Sequence, residues 1–233
     1  MTPGQVIIYL ISPHTISSAL ASECLTGDEK SRASRFRFPK DAAHWSACRA
    51  ALRQILGREI GLAPREVPLI FSEFGKPALA PPYDRLHFNL SHCPDLAIVA
   101  LCLDGPVGVD LESLTRAPDL LECVNSFCHP EEIRSLPTDE NARASQLLRI
   151  WTAKEAILKA LGTGLSHSPE LVHIHFRPSH ATAFSDQPLE GIENQFIHKL
   201  ENPALDGYLA AISSPQSVNK MGITLKIHHE AKD

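Results

Sequence analysis

The chain has 233 residues, of which 43% are hydrophobic and 21% are charged. This composition is that of an ordinary globular protein, and it excludes disordered, collagen-like and fibrous classes. The net charge of −5 gives no sign of a nucleic-acid partner.

The apolar segments and the cysteines indicate the compartment. The longest apolar run, residues 96–103, is far shorter than the ~20 residues that a membrane span needs. The apolar opening Val6–Ile11 has no basic residue before it and no cleavage site after it, so we do not expect a signal peptide. Six cysteines occur without a C-x-x-C pair, which favours free thiols in a reducing compartment. We therefore predict a cytoplasmic protein with no membrane contact.

The first half of the chain predicts a strand, two helices and then more strands. The strand covers Val6–Ile11, and Thr26 and Glu29 have capping-box spacing, which predicts the start of a helix. Pro39 begins a second helix, which we predict to end at Gly57. Alternating apolar residues predict strands over residues 86–90 and 96–103.

The second half repeats this order. The pair Asp104-Gly105 predicts a turn into a strand over residues 107–111. A long helical pattern follows over residues 142–161, and Gly162 ends it. The last seventy residues are β-rich, with strands predicted over residues 172–176, 208–212 and 223–227.

A weak internal repeat suggests how the halves relate. Residues 49–57 align with residues 154–162 at an offset of 105, and both segments end in Leu-Gly. The sequence therefore predicts an α+β fold that is a pseudo-dimer of two similar halves, each a helix packed on antiparallel strands. We place the N-terminal half at residues 1–103 and the C-terminal half at residues 104–233, with the active site between them.

Charge is concentrated in one segment. From Lys30 to Arg58 eight basic residues face only one acidic residue, Asp41, so this segment carries +7. The pattern predicts an anion-binding surface. The alternative is a solvated basic helix face, which charge alone does not exclude.

Two carboxylates lie on one predicted strand. Asp110 and Glu112 are separated by one residue, so they share a face of the strand while Val109 and Leu111 point to the other. Mg²⁺ prefers oxygen ligands and is commonly bound by one or two carboxylates plus substrate phosphates. The pair predicts a magnesium site, and an exposed polar strand face is the alternative.

A second group of polar residues lies on the long helix. Trp151, Glu155 and Lys159 are one helical turn apart and share one side. Glu155 could supply a third metal ligand and Lys159 a phosphate contact. A plain surface ion pair between Glu155 and Lys159 is the alternative.

Further anion donors precede the carboxylate strand. Ser91 and His92 close a strand, and Lys76 lies in a tight turn upstream. A serine hydrolase with Ser91 and His92 is excluded, because adjacent strand residues point apart and no G-x-S-x-G sequence is present. The G-x-x-x-x-G-K-[ST] sequence of P-loop nucleotide hydrolases is also absent.

Taken together, four motifs resemble those of the surfactin-type 4′-phosphopantetheinyl transferases. In order, they are Gly75-Lys76-Pro77, Phe88-Asn89-Leu90-Ser91-His92, Gly108-Val109-Asp110-Leu111-Glu112, and the segment from Trp151 to Leu165 with its W-x-x-K-E-x-x-x-K pattern. The resemblance covers residues 26–165. Beyond Leu165 only length and β-rich patterning agree.

The resemblance implies a role for each matching residue. Asp110, Glu112 and Glu155 would bind Mg²⁺, and Glu155 would also activate the acceptor serine, although the identity of the base stays open. Lys159 would hold the pyrophosphate of coenzyme A, and Lys154 of the same motif would be a further coenzyme-binding residue. The remaining coenzyme contacts would come from Lys76, Ser91, His92, Arg49 and His44.

One matching position departs from the family. The family's D-x-x-R sequence becomes Asp41-Ala-Ala-His44 here, so a histidine stands where the arginine contacts the 3′-phosphate of the coenzyme. An imidazole with an ordinary pKa of about 6.5 is not permanently charged, unlike an arginine. The permanently charged contact of the family is thus replaced here by a titratable one.

The resemblance implies a monomeric transferase that moves 4′-phosphopantetheine from coenzyme A to a serine of an apo acyl or peptidyl carrier protein. The product 3′,5′-ADP leaves, and catalysis depends on positioning and charge neutralisation. Two alternatives remain, a silent homologue that binds coenzyme A or a carrier, and a generic magnesium phosphohydrolase. The sequence does not identify the carrier or its pathway.

Overall fold

A computed structural model describes residues 1–218 and 222–228. Its helices are α1 (Ser18–Cys24), α2 (Gly27–Ala33), α3 (Pro39–Ile60), α4 (Val124–Phe127), α5 (Pro130–Arg134) and α6 (Glu140–Leu161). Its strands are β1 (Val6–Ile11), β2 (Leu69–Phe71), β3 (Pro77–Leu79), β4 (His87–His92), β5 (Ala97–Cys102), β6 (Gly108–Ser113), β7 (Val172–Phe176), β8 (Ala181–Ser185), β9 (Gln195–Leu200), β10 (Tyr208–Pro215) and β11 (Ile223–His228). Short 3-10 turns connect them, among them Leu114–Glu122.

The first sheet has the strand order β11-β1-β5-β4. Strands β1, β5 and β4 are antiparallel, whereas β11 from the far end of the chain pairs with β1 in parallel. This parallel pair departs from the antiparallel pattern that we predicted. One face of the sheet packs on α3, and Leu52, Ile55 and Leu56 lie in that core.

The second sheet is antiparallel, with the strand order β6-β10-β9-β8-β7. Its inner face packs on the first sheet, where Val109, Leu111 and Ile212 meet Ile8 and Ile98. Its outer face packs on α6 through a core that includes Ile157 and Ile174. Two sheets therefore lie face to face between two long helices, and the predicted α+β class is confirmed.

Side chains of β4 connect the two sheets. Strand β6 forms an edge of the second sheet, and its free side faces β4. Asn89 Oδ1 accepts a hydrogen bond from the Val109 amide at 2.9 Å, and Ser91 Oγ accepts one from the Leu111 amide at 3.3 Å. Asn89 and Ser91 thus take the place of a neighbouring strand along β6.

The two long helices end in the same way. Gly61 and Gly162 follow α3 and α6 with φ of 74° and 80°, left-handed values that favour glycine. The predicted end of α6 is confirmed, but the predicted end of α3 at Gly57 is wrong. Gly57 lies inside the helix, where a Cβ atom would come within 2.6 Å of the Leu62 carbonyl oxygen. This glycine serves close packing and not helix termination.

Both long helices also bury a cation against a glutamate from a preceding short helix. Arg53 Nε on α3 lies 2.6 Å from Glu29, and Lys154 Nζ on α6 lies 2.7 Å from Glu132. Glu29 and Glu132 each complete a capping box, at the starts of α2 and α5. The halves therefore repeat a buried ion pair as well as a helix and a sheet.

The remaining structural predictions concern the turn, the thiols and the membrane. Asp104-Gly105 connects strands of different sheets and so does not form a hairpin. The cysteines are free, as predicted, and all are buried except Cys123. None of the helices within residues 1–218 and 222–228 is both long and apolar enough to cross a bilayer.

Candidate functional site

Strand β6 carries the two predicted carboxylates on the side that faces α6. Asp110 is 3% exposed, and its Oδ1 accepts a hydrogen bond from Ser91 Oγ at 3.0 Å. Glu112 is half-buried, and its Oε1 accepts bonds from Trp151 Nε1 at 2.8 Å and from the guanidinium of Arg116. The alternation of the strand therefore places both carboxylates together, as the spacing indicated.

Helix α6 presents its predicted residues to the same place. Trp151, Glu155 and Lys159 are one turn apart, and the outer two contact Glu112 and Asp110 respectively. Lys159 Nζ lies 2.6 Å from Asp110 Oδ1 and 3.7 Å from Glu155 Oε2. These contacts bring Asp110, Glu112, Glu155 and Lys159 into one group, which we call the carboxylate cluster.

The close approach of β6 to α6 depends on Gly108. A Cβ atom at this position would lie 2.0 Å from the Ala156 carbonyl oxygen and 2.3 Å from the Ala160 amide nitrogen. Only glycine permits backbone contact at this distance. The glycine at the start of the strand therefore sets how near Asp110 can come to Glu155.

The electrostatics of the carboxylate cluster favour a bound cation. Burial raises the pKa of Glu155, the charges of Asp110 and Glu112 raise it further, and Lys159 lowers it. Asp110 Oδ2 is buried and has no hydrogen-bond partner among the described residues. Carboxylate oxygens that repel one another, one of them unpartnered, fit Mg²⁺, which prefers oxygen ligands.

Strand β4 brings Ser91 and His92 to the edge of the carboxylate cluster. Ser91 is buried, and its hydroxyl is already engaged by Asp110 and the Leu111 amide. His92 is exposed, and its Nδ1 lies 3.1 Å from Nε2 of His44 on α3. The structure therefore places the two histidines together and directs Ser91 towards Asp110, because successive strand residues point to opposite sides.

Burial lowers the pKa of both histidines. For His44 the charge of His14 lowers it further, while Asp41 raises it. For His92 the charges of His44 and Lys159 add to the effect of burial. Neutral imidazoles are thus the favoured form in this structure at pH 7.

The predicted coenzyme contacts Lys76 and Arg49 are both held by protein groups in this structure. Lys76 Nζ donates to the carbonyl oxygens of Val107 at 3.2 Å and Ala160 at 2.6 Å, so it bridges the two halves. Burial lowers the pKa of Lys76 to about 8. Arg49 is 8% exposed beside Glu29, and its Nη1 has no hydrogen-bond partner within the described part of the chain.

Lys154 does not reach the carboxylate cluster, which corrects its prediction as a coenzyme-binding residue. Its side chain is 1% exposed, and Nζ is enclosed by Glu132 and by the carbonyl oxygens of Phe127 and Pro169. Lys154 lies on the buried side of α6, one residue before Glu155. A cation enclosed in this way stabilises the fold and cannot contact a ligand.

The basic segment divides into buried and exposed parts. Arg49 and Arg53 belong to the protein interior, where Arg53 Nη1 donates to three backbone carbonyl oxygens. Arg32 lies over the Trp45 ring at 5.3 Å from its centroid, and Arg49 lies at 5.4 Å from the same centroid. The exposed cations of this segment form what we call the basic face: Lys30, Arg32, Arg35, Arg37, Lys40 and Arg58.

Three residues at the site were not predicted. Asn89 alternates with Ser91 on β4, and this spacing of two polar residues in an apolar strand was a usable signal. Arg116 reaches Glu112 from the following turn. Cys48 lies one turn after His44, with Sγ 3.6 Å from His44 Nε2. Its i, i+4 spacing from the histidine was visible in the sequence.

Two family models match this chain. One, described as the 4′-phosphopantetheinyl transferase superfamily, matches residues 106–213, and the other, described as the N-terminal part of 4′-phosphopantetheinyl transferase, matches residues 12–103. The matches do not overlap and together cover most of the chain. The chain belongs to the 4′-phosphopantetheinyl transferase superfamily. The carboxylate cluster lies within the superfamily match, and His44 and His92 lie within the N-terminal one.

Proteins similar to this chain include two phosphopantetheinyl transferases and a solved structure of a carrier-protein synthase. The chain is 38% identical over 152 residues to 4′-phosphopantetheinyl transferase HetI of Nostoc sp., covering 63% of each protein. It is 28% identical over 170 residues to the L-aminoadipate-semialdehyde dehydrogenase-phosphopantetheinyl transferase of Xenopus laevis, covering 68% of this chain and 56% of that one. A holo-[acyl-carrier-protein] synthase structure from Thermotoga maritima is 21% identical with a TM-score of 0.39, covering 46% and 61%. The matched parts are less than two thirds of these relatives.

Proposed function

We propose that this protein transfers the 4′-phosphopantetheine group of coenzyme A to a serine of an apo acyl or peptidyl carrier protein, as a surfactin-type member of its superfamily. The observation that carries the proposal is the carboxylate cluster, in which Asp110, Glu112, Glu155 and Lys159 meet between β6 and α6. We place the protein in the cytoplasm and propose that it acts as a monomer. We further propose that residues 1–103 carry the 3′-phosphate contacts and the basic segment, and that residues 104–233 carry the magnesium and pyrophosphate site.

The cluster would hold one Mg²⁺. Asp110 and Glu112 offer oxygens from the strand, Glu155 offers one from the helix, and Asp110 Oδ2 is the buried oxygen without a hydrogen-bond partner among the described residues. When bound, the metal supplies positive charge to the pyrophosphate oxygens of coenzyme A. Trp151 and Arg116 hold Glu112 by its Oε1, which orients the carboxylate.

In the proposed reaction, the serine hydroxyl oxygen of the carrier forms a bond to the β-phosphorus of the pyrophosphate. The bond from that phosphorus to the bridging oxygen breaks, and 3′,5′-ADP departs with this oxygen. Glu155 would accept the proton of the hydroxyl, either directly or through a water molecule, as a carboxylate beside the attacking serine. Lys159 neutralises charge on the pyrophosphate, having first been released from Asp110.

The coenzyme would extend from the cluster towards α3. His92 and His44 would mark the direction of the 3′-phosphate. Lys76 and Arg49, the further predicted coenzyme contacts, would have to exchange the carbonyl oxygens and Glu29 that now hold them for phosphate oxygens. Ser91 would act indirectly, since its hydroxyl holds Asp110. The second candidate, a silent homologue that binds coenzyme A or a carrier without transfer, is disfavoured because a binding protein needs no base beside a metal site.

Intact-mass spectrometry of apo carrier proteins tests the proposal. Incubation with this protein, coenzyme A and Mg²⁺ should add one phosphopantetheine group to a serine. Asp110→Asn, Glu112→Gln and Glu155→Gln should each abolish the mass shift, whereas Glu131→Gln, in an exposed ion pair on α5, should retain it. Release of 3′,5′-ADP without carrier would instead indicate a phosphohydrolase. Coenzyme binding with no adduct on any carrier would support the silent homologue.

A further inference from the structure

A second group of metal-ligating side chains lies outside the carboxylate cluster. His44 and Cys48 are one turn apart on α3, and His92 is the last residue of β4. His44 Nε2 is 3.1 Å from His92 Nδ1 and 3.6 Å from Cys48 Sγ. One ligand atom from each of the three residues lies within 4.8 Å of the others. Nothing in the reaction proposed above uses the thiol.

These separations agree with a tetrahedral metal ion. Zn²⁺ binds histidine nitrogen at about 2.0–2.1 Å and cysteine sulfur at about 2.3 Å, which for tetrahedral angles implies roughly 3.4 Å between two nitrogens and roughly 3.6 Å between nitrogen and sulfur. The observed 3.1 Å and 3.6 Å are close to both values. Cys48 Sγ and the ligand nitrogen of His92 lie within 4.8 Å of each other, and the two imidazole nitrogens have to separate slightly on binding.

We propose that His44, Cys48 and His92 form a second metal site, which binds Zn²⁺ or a similar divalent transition metal. Imidazole and thiolate are softer donors than carboxylate, so this site selects against Mg²⁺, whereas the carboxylate cluster favours it. Three protein ligands leave one position of a tetrahedral metal for water, as in catalytic zinc sites.

The surroundings of the three residues are compatible with metal entry. His92 is exposed and His44 is half-buried, so the nitrogen pair is reached from solvent, while Cys48 Sγ forms the floor of the site with 1% exposure. Asp41 and Asp95 act on His44 as negative charges, while His14 beside it, Arg49 near Cys48 and Lys159 near His92 act as positive ones. The alternative is a simple hydrogen bond between the two imidazoles, with the thiol packed beneath them.

Cobalt substitution distinguishes the two possibilities. Metal-free protein titrated with Co²⁺ should show one equivalent of tetrahedral cobalt, with intense visible bands and a near-ultraviolet sulfur-to-cobalt charge-transfer band, in addition to any weakly coloured octahedral cobalt at the carboxylate cluster. Added Zn²⁺ should remove these bands, and Mg²⁺ in excess should not. A spectrum of octahedral cobalt without the charge-transfer band would overturn the proposal.

Variants assign the ligands. Cys48→Ser should lose the charge-transfer band. His92→Ala, at an exposed position that does not threaten the fold, should raise the dissociation constant for Co²⁺ by about 100-fold or more. The loss of a residue that merely supports a ligand already lowers metal affinity by about 10–100-fold. The matched control is Cys128→Ser, a buried cysteine of the other half, together with Asp110→Asn in the carboxylate cluster. Both should keep the tetrahedral bands and the charge-transfer band of wild type. An unchanged spectrum in His92→Ala would refute the site, whether or not the protein transfers phosphopantetheine.

Discussion

Lys159 Nζ lies 2.6 Å from Asp110 Oδ1, and this contact joins the helix to the strand that carries the proposed metal ligands. A lysine ammonium and a magnesium ion therefore compete for the same carboxylate. In the proposed reaction, Lys159 would exchange Asp110 for phosphate oxygens when metal and coenzyme bind. The ion pair would then link metal binding to the movement of this cation.

Replacing Lys159 with methionine should tighten Mg²⁺ binding and slow transfer. The variant removes the competing cation, and we expect the dissociation constant for Mg²⁺ to fall by about tenfold, a difference of about 1.4 kcal/mol. Transfer at saturating Mg²⁺ should fall by about 100-fold, because the charge on the pyrophosphate is no longer neutralised. Calorimetry without coenzyme measures the first effect and initial rates measure the second.

The control for this prediction is Lys199→Met, an exposed lysine on β9 that pairs with Glu201. It should change neither quantity. Weaker Mg²⁺ binding in Lys159→Met would show that the lysine supports the metal site instead of competing with it.

Gly108→Ala should separate β6 from α6. The added methyl group would overlap the backbone of Ala156 and Ala160, and we expect a loss of about 3 kcal/mol in the free energy of unfolding, at the upper end of overpacking costs. Chemical denaturation measures it. Gly27→Ala is the matched control, since its Cβ meets nothing within 4 Å at the start of α2, and its stability should change by less than ~1 kcal/mol. Equal stability of the two variants would contradict the close contact.

Lys76 should make stability depend on alkaline pH. Its pKa in the folded protein is about 8, lowered by burial from the ordinary 10.5. Between these values the unfolded chain binds the proton that the folded protein has lost, so stability rises as the pH increases through this window. Wild type should therefore gain about 1 kcal/mol relative to Lys76→Met between pH 7.5 and pH 10, a value reduced for partial solvent screening.

Urea denaturation at both pH values measures this difference. Lys30→Met, at an exposed lysine of α2, serves as the control and should follow wild type at each pH. A constant difference between wild type and Lys76→Met across the window would mean that Lys76 keeps its proton beside the two carbonyl oxygens.

The basic face should steer an acidic carrier. Exchanging Arg35 and Arg37 for glutamate should lower kcat/KM for the carrier by about tenfold at low salt and leave kcat unchanged, because steering acts on association. The difference should shrink as salt is added. Arg177→Glu, an exposed site in the other half, is the control for charge. A kcat/KM that does not respond to salt in wild type would exclude steering by this face.

Local signals in the sequence predicted most helices and strands and the residues of the carboxylate cluster. Asp110 and Glu112 share a face because a strand repeats every two residues, and Glu155 and Lys159 share a side because a helix repeats about every four. These placements depend on local geometry alone, so the structure retains them. Thr26 and Gly162 mark helix ends by their own backbone and side-chain chemistry.

What the sequence did not reveal depends on partners distant along the chain. Lys154 and Glu155 are neighbours in the same sequence motif, and nothing in the motif shows that only Glu155 reaches the carboxylate cluster. The contact of Lys154 with Glu132 becomes visible only when α5 packs against α6. Gly57 has the sequence signature of a helix end, but a glycine is needed there because the nearby Leu62 carbonyl oxygen leaves no room for a Cβ atom. Strand β11 was predicted, but its parallel pairing with β1 was not, because pairing between strands is not encoded in the strand pattern.

The bonds from Asn89 and Ser91 to the backbone of β6 also protect the molecule from self-association. An edge strand with free amide groups is a template for a strand from another molecule, and such edges promote aggregation. Here the Val109 and Leu111 amides are occupied by side chains, which cannot extend the sheet further. The same two residues that support the strand with the proposed metal ligands therefore close the edge along which copies of the protein would otherwise join into a continuous sheet.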